Sequence, residues 1–186
     1  MIGYAICGSY CTHAASLCEL DHLIEKGYDV VPIVSENVSV TDTRFGDAKA
    51  LVSKLENMCG REVVRSIVDA EPLGPKTPLD ALIICPCTGN TLAKMATGIT
   101  DTAVTMAAKA HLRGDKPLII ALASNDAMSA NMKNIGTMLN RKHVYFVPMK
   151  QDDPEKKPHS LVADFSLLDK TLSSALEGKQ YRKLFI

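Results

Sequence analysis

The sequence predicts a three-layer α/β/α domain built on a doubly wound, Rossmann-like parallel sheet of five or six strands. Two observations carry that expectation. Short β-branched runs alternate with longer segments of helical periodicity, and strands alternating with helices imply a parallel sheet covered on both faces. The strand candidates are also apolar along their whole length, as strands buried on both faces are.

In chain order, Ile2 to Cys7 reads as a buried strand and Gly8 to Thr12 as a turn. His13 to Lys26 carries Ala15, Leu17, Cys18, Leu20, Leu23 and Ile24 at helical spacing and stops at Gly27, the residue type that most easily ends a helix. Val30 to Val34 is a second strand, followed by Ser35-Glu36-Asn37. A helix over Asp47 to Met58 puts Ala50, Leu51, Leu55 and Met58 on one face and closes at Gly60. Asp69 to Pro78, with three prolines and a glycine, is a loop.

Leu79 to Cys85 is the clearest strand, and Pro86 to Thr91 a turn. Helices over Thr91 to Thr97 and Thr102 to Leu112 flank Gly98. Pro117 to Leu122 is another strand, and Ser124-Asn125-Asp126 a polar turn before a helix to Leu139. Val144 to Val147 is the last core strand. The chain thus reads as one domain. Its core spans 1–150, a charged loop with two prolines spans 151–160, and an amphipathic helix from Leu161 to Leu176 opens the C-terminal segment 161–186.

Composition narrows the function. The chain has 186 residues, with 21 Lys plus Arg balancing 21 Asp plus Glu. A zero net charge argues against a dedicated nucleic-acid binder and against a polybasic membrane anchor. No apolar run approaches the roughly 20 residues that span a bilayer, and the N-terminus lacks the basic start of a signal peptide. The expected location is the cytosol. There the six cysteines are free thiols, and without a pair of C-x-x-C spacings no structural metal site is expected.

In a doubly wound sheet, ligands sit beyond the carboxyl ends of the strands. Four strand-end turns are rich in Ser, Thr, Asn or Gly: Gly8 to Thr12, Ser35 to Asn37, Pro86 to Thr91 and Ala123 to Met128. The first and third lead into helices, whose free N–H groups and partial positive charge suit a phosphate. Neither is a G-x-G-x-x-G or a G-x-x-x-x-G-K-[ST] stretch, so one phosphate on a mononucleotide fits better than a dinucleotide or a nucleoside triphosphate. Ordinary turn and cap residues would read the same way. Spacing alone stops at a binder of an anionic small molecule.

Other residues have two readings each. His13 is a polar helix-start residue or a proton carrier near neutral pH. Cys87 is a packed thiol or a thiolate favoured by the helix start. His111, His143 and His159 lie near element ends and are expected to be solvated. Lys156-Lys157 and the flanking acids form a solvated loop, or order over a substrate or a partner chain. The apolar end Leu184-Phe185-Ile186 suggests burial in a subunit contact.

The segment Pro86-Cys87-Thr88-Gly89-Asn90-Thr91, running on to Lys94-Met95-Ala96-Thr97-Gly98-Ile99-Thr100-Asp101, resembles the "PASANT" segment of the homo-oligomeric flavin-containing cysteine decarboxylases. The G-S-Y-C-T-H and I-V-S-E-N turns match that family in order and spacing over roughly residues 1 to 150. The resemblance implies a flavoprotein with FMN at the subunit boundary of a trimer, sometimes assembled into dodecamers. Carried over by position, it assigns Gly8, Ser9, Tyr10, Ser35, Thr88, Gly89, Asn90, Thr91, Ser124 and Asn125 to the cofactor. Asn90, whose counterpart contacts a substrate carboxylate, becomes the candidate catalytic residue.

Three departures matter. No histidine stands in Asp69 to Pro75, Asn125-Asp126-Ala127-Met128 replaces the P-x-M-N-x-x-M motif, and Asp101-Thr102 replaces an aspartate-asparagine pair. Cysteine decarboxylation is therefore an alternative, not the leading reading. The arginine of the prenyl-transferring members is replaced near Ser124. Gln151 to Asp164 is most similar to one branch from spore-forming bacteria, half of a two-chain enzyme that oxidises a dihydropyridine dicarboxylate. That similarity implies sporulation, the mother-cell cytoplasm, a small dicarboxylate substrate and a partner chain with an NAD(P)-type domain. A flavin-free scaffold for that partner is the non-enzymatic alternative.

Overall fold

Five apolar runs form the parallel part of a seven-stranded sheet in the computed structural model, which describes residues 1–74 and 76–186. They are β1 (Ile2–Ile6), β2 (Val30–Val34), β3 (Ala81–Cys87), β4 (Leu118–Ser124) and β5 (Val144–Phe146). Every residue of these strands is buried. β1 pairs with β2 from Ile2 opposite Val30, and with β3 from Ile2 opposite Ala81. The parallel order is therefore β2-β1-β3-β4-β5. Winding reverses between β1 and β3, and a crevice opens beyond their carboxyl ends.

The helices are α1 (His13–Glu25), α2 (Glu36–Val40), α3 (Ala48–Cys59), α4 (Ile67–Ala70), α5 (Gly89–Thr97), α6 (Ala103–Leu112), α7 (Met132–Leu139) and α8 (Leu168–Leu176). α1 packs with α3 and α8, while α5 packs with α6 and α7 and α4 with α6. The core also holds satisfied polar groups. The Tyr4 hydroxyl donates to the Ser16 carbonyl at 2.8 Å, and Ser16 Oγ donates to the Cys85 carbonyl at 2.5 Å. These bonds tie β1, α1 and β3 together without leaving either hydroxyl unpaired.

Several boundaries differ from the sequence reading. β3 continues through Pro86 to Cys87 across a register shift, and α5 starts at Gly89, two residues before the expected Thr91. The short helices α2 and α4 occupy segments read as turn and loop; Pro75, within the expected loop, lies outside the described residues. The main correction concerns the C-terminal part. Leu161–Ala163 is strand β7, and the helix begins only at Leu168 after a 3₁₀ turn over Phe165–Leu167. β7 runs antiparallel to the end of β4, with Ser124 opposite Leu161, and β6 (Met149–Lys150) pairs antiparallel with β7. Leu161 stands at helical spacing from Phe165 and Leu168 in sequence, but β4 outruns β5 and offers Leu161–Ala163 an open edge. The 151–160 segment consequently hangs over the carboxyl end of β4.

His111 is another correction: it is 2% exposed, not solvated, with Nε2 at 2.9 Å from the Pro117 carbonyl. The chain end pairs along β6, where Met149 N–H donates to Leu184 O at 2.8 Å, while Phe185 and Ile186 stay about half exposed. All six cysteines are free. No helix of the described residues is long and apolar enough to cross a membrane.

Candidate functional site

Three strand ends converge on a cleft of about 660 Å³. Gly8 to Thr12 come from the end of β1, Thr88 to Asn90 from β3, and Ala123 to Asp126 from β4. A second cleft of about 420 Å³ adjoins it, lined by Ser35, Glu36 and Asn37 after β2 and by Thr91, Lys94 and Asp101. Gly8, Tyr10, Thr88 and Asn90 line both. Every candidate site residue named from the sequence thus borders one of two neighbouring hollows, at the crevice where the winding reverses.

The local structure sorts these residues by what their polar groups do. Thr88 caps α5, its Oγ1 accepting the Thr91 N–H at 3.2 Å. Thr91 is buried, and its hydroxyl donates to Cys7 Sγ at 3.3 Å. Ser124 donates to Asp126 at 2.5 Å. These three side chains serve the protein itself. Among the described residues, the side chains of Ser9, Ser35, Asn90 and Asn125 make no hydrogen bond. At the start of α5, the Gly89 and Asn90 N–H groups precede the first intrahelical donor, as in any helix. The site therefore presents solvent-accessible hydroxyl and amide groups beside side chains already bonded within the protein.

Asp126 organises that rim. Its carboxylate accepts from Ser124 and, at 2.9 Å to each oxygen, from Asn131 Nδ2, while Asn134 Nδ2 donates to Asn131 Oδ1 at 2.8 Å. The Ser124 hydrogen bond, then that of Asn131, holds Asp126 below the usual carboxylate range. Gly89 packs tightly on this network: a Cβ would press on Ser124 Oγ and stand 2.6 Å from Asn131 Nδ2. Sequence reasoning misses this brace. Its only trace there is polarity at Asn131 and Asn134, around the opening turn of an otherwise amphipathic helix.

Tyr10 links the β1 and β2 turns, its hydroxyl donating to the Asn37 carbonyl at 3.3 Å. Its ring lies 5.1 Å from that of His13. His13 opens α1, as a helix-start residue should, but it is buried there. It is 9% exposed with Nε2 at 2.8 Å from the Cys7 carbonyl, and burial lowers its pKa. Glu36 is a further group that the sequence does not single out. Its Oε1 accepts the Ala103 N–H at 2.8 Å, while Oε2 is buried without a partner among the described residues. Cys87 packs as a thiol, since complete burial raises its pKa well above the ordinary 9.0.

Known proteins share this architecture. The chain is 42% identical over 185 residues to the B subunit of dipicolinate synthase from Bacillus subtilis, spanning all of this chain and 92% of that protein. It superposes on the crystal structure of the corresponding dipicolinate synthase B chain of Bacillus halodurans with a TM-score of 0.91 at 42% identity, over 100% of this chain and 95% of that one. The DmrB protein of Burkholderia xenovorans, solved in complex with FMN, has the same fold at a TM-score of 0.71 and 17% identity, over 95% and 94% of the two chains. The sequence model of one family covers all four strand-end turns, matching residues 2–165. The chain belongs to that family, the Flavoprotein family.

Proposed function

We propose that the chain is the FMN-binding B chain of a dipicolinate-forming enzyme. In this reading it acts with an A chain in the oxidation of dihydrodipicolinate to dipicolinate during sporulation, in the mother-cell cytoplasm, as a homo-oligomer. The observation that carries the reading is the convergence of Ser9, Ser35, Asn90 and Asn125, solvent-accessible hydroxyls and amides, on two joined clefts. The full-length identity to a dipicolinate synthase B chain supports it.

The donor set fits a flavin mononucleotide. Gly8, Ser9 and Tyr10, with Ser35 and the α5 start at Thr88 to Thr91, would hold it, together with Ser124 and Asn125. When bound, the cofactor supplies a two-electron acceptor. The residues do the rest. The Asp126 network packs against the α5 start at Gly89, and Asn90 offers a neutral amide with two donors to an acidic substrate. Rigid placement of both partners lowers the entropic barrier to reaction.

The test is the visible spectrum of the purified protein with and without added FMN, followed by dipicolinate formation on mixing with the A chain. The expected result is a flavin spectrum, product with both chains, and a product rate cut at least about tenfold by Asn90→Ala. A protein that takes up no FMN sinks the reading. Unchanged product with Asn90→Ala in an intact complex favours the scaffold alternative. Carbon dioxide release from a cysteinyl compound by the isolated chain favours the decarboxylase.

A further inference from the structure

The 151–160 segment is an exposed loop that carries its own turn hydrogen bonds. Lys157 N–H donates to Asp153 O at 2.8 Å, Ser160 N–H to Lys157 O at 3.0 Å, and Lys156 N–H to the Asp153 side chain at 3.0 Å. Met128 N–H, just past the β4 turn, donates to His159 O at 2.9 Å, and Ser160 is 2% exposed. This turn is pinned at its base and places Lys157 and Asp152 on the wall of the larger cleft, which Arg44 also lines. Lys157 Nζ donates to Asp152 Oδ2 at 2.7 Å. Half-exposed ion pairs of this kind add little stability, so the pair that this hydrogen-bonded turn holds at the cleft wall is open to exchange.

We propose that Lys157 is the cation that takes a carboxylate of the acidic substrate, with Asp152 occupying it until the substrate arrives. The inference rests on the function proposed above and adds a specificity residue to it. The Asp152 carboxylate shows the geometry in which this ammonium meets an acid oxygen. Asn90, which lines the same cleft, provides a neutral donor for the other end of a dicarboxylate. A charge paired with an amide would favour a diacid over a monoacid. Exchanging Asp152 for substrate creates no new unpaired charge inside the cleft, because the released carboxylate is 30% exposed and can be hydrated.

The test uses the full chain and three variants, Lys157→Gln, Lys157→Arg and Asp152→Asn. FMN and riboflavin affinities are read by flavin fluorescence, and binding of pyridine-2,6-dicarboxylate and of picolinate by calorimetry on FMN-loaded protein. Lys157→Gln should bind pyridine-2,6-dicarboxylate about tenfold more weakly, as expected for one lost hydrogen bond to a charged group, with FMN affinity unchanged. Lys157→Arg should recover most of the loss, and Asp152→Asn should bind as tightly as wild type or tighter. Unchanged dicarboxylate binding in Lys157→Gln overturns the inference. So does a Lys157→Gln loss in FMN but not riboflavin affinity, which assigns Lys157 to the cofactor's phosphate. Wild-type protein that takes FMN but no dicarboxylate overturns this inference alone, whereas wild-type protein that takes neither overturns the proposed function with it.

Discussion

Glu36, the first residue of α2, accepts the backbone N–H of Ala103, the first residue of α6, at 2.8 Å across 67 residues of sequence. A carboxylate at a helix N-terminus satisfies an orphan donor and complements the helix dipole. Glu36→Ala should therefore cost about 1–2 kcal/mol, lowering the melting temperature by several degrees. Glu36→Gln keeps an acceptor for Ala103 and places an amide where Oε2 has no partner. It should stay within about 0.5 kcal/mol of wild type. Urea unfolding of the two variants checks both values. An equal loss in both would show that the charge, not the acceptor, matters.

The cysteines divide by burial. Burial pushes the Cys7 thiol up to about 11 and the Cys85 thiol up to about 12, and Cys87 is likewise raised. Cys11 and Cys18 are exposed. Thiolate is the nucleophile, so brief iodoacetamide treatment of the native protein should label Cys11 and Cys18 and spare Cys7, Cys85 and Cys87. Peptide mass spectrometry reads the result. Labelling of Cys87 under native conditions would show that the β3–α5 turn opens.

Much of the fold is visible in the sequence, and the reason generalises. β2 is legible residue for residue because Val30, Val31, Ile33 and Val34 are β-branched, and Pro32 is tolerated on a strand at the edge of the sheet. The strand-end turns are legible because their polarity interrupts such runs. Leu161–Ala163 reads wrongly because three apolar residues fit a helix or a strand equally well, and only the free edge of β4 decides. His111 reads wrongly because its satisfaction depends on Pro117 across a turn, a contact that no periodicity encodes. The Asp126–Asn131–Asn134 brace and the Glu36 cap are likewise pairings between segments. Local pattern shows where polar residues stand and leaves open which of them are already spoken for.

Two buried histidines should give the fold a pH dependence above the carboxylate range. Burial lowers the pKa of both His13 and His111 from the ordinary 6.5. As pH falls below 6.5, an unfolded imidazole takes a proton that the folded one resists, so the unfolded state binds more protons and stability drops. The loss accumulates down to the folded pKa values. Urea midpoints should therefore decrease from about pH 7.5 to about pH 5. His111→Gln, which can still donate to Pro117 O, should flatten that decrease. A slope identical to wild type would place the titration elsewhere.

Gly89 is required for space rather than for backbone freedom. It opens α5, where alanine would be the better helix former by about 1 kcal/mol. Yet a Cβ there would press on Ser124 Oγ and stand 2.6 Å from Asn131 Nδ2 and 2.9 Å from Asp126 Oδ1, and those atoms are fixed to one another by hydrogen bonds. Gly89→Ala should thus destabilise the protein by about 1–3 kcal/mol, as overpacking does. On the function proposed above, it should also weaken FMN binding by displacing the turn that carries Asn90. Adding Asn131→Ala removes one obstacle and frees Asp126 and Ser124 to shift away from the new methyl group, but leaves Asp126 with one donor fewer. The double variant should regain part of the stability lost in Gly89→Ala while its flavin affinity stays low. Thermal unfolding and FMN titration separate the two effects, and a double variant that regains both would reduce the Asp126 network to packing alone.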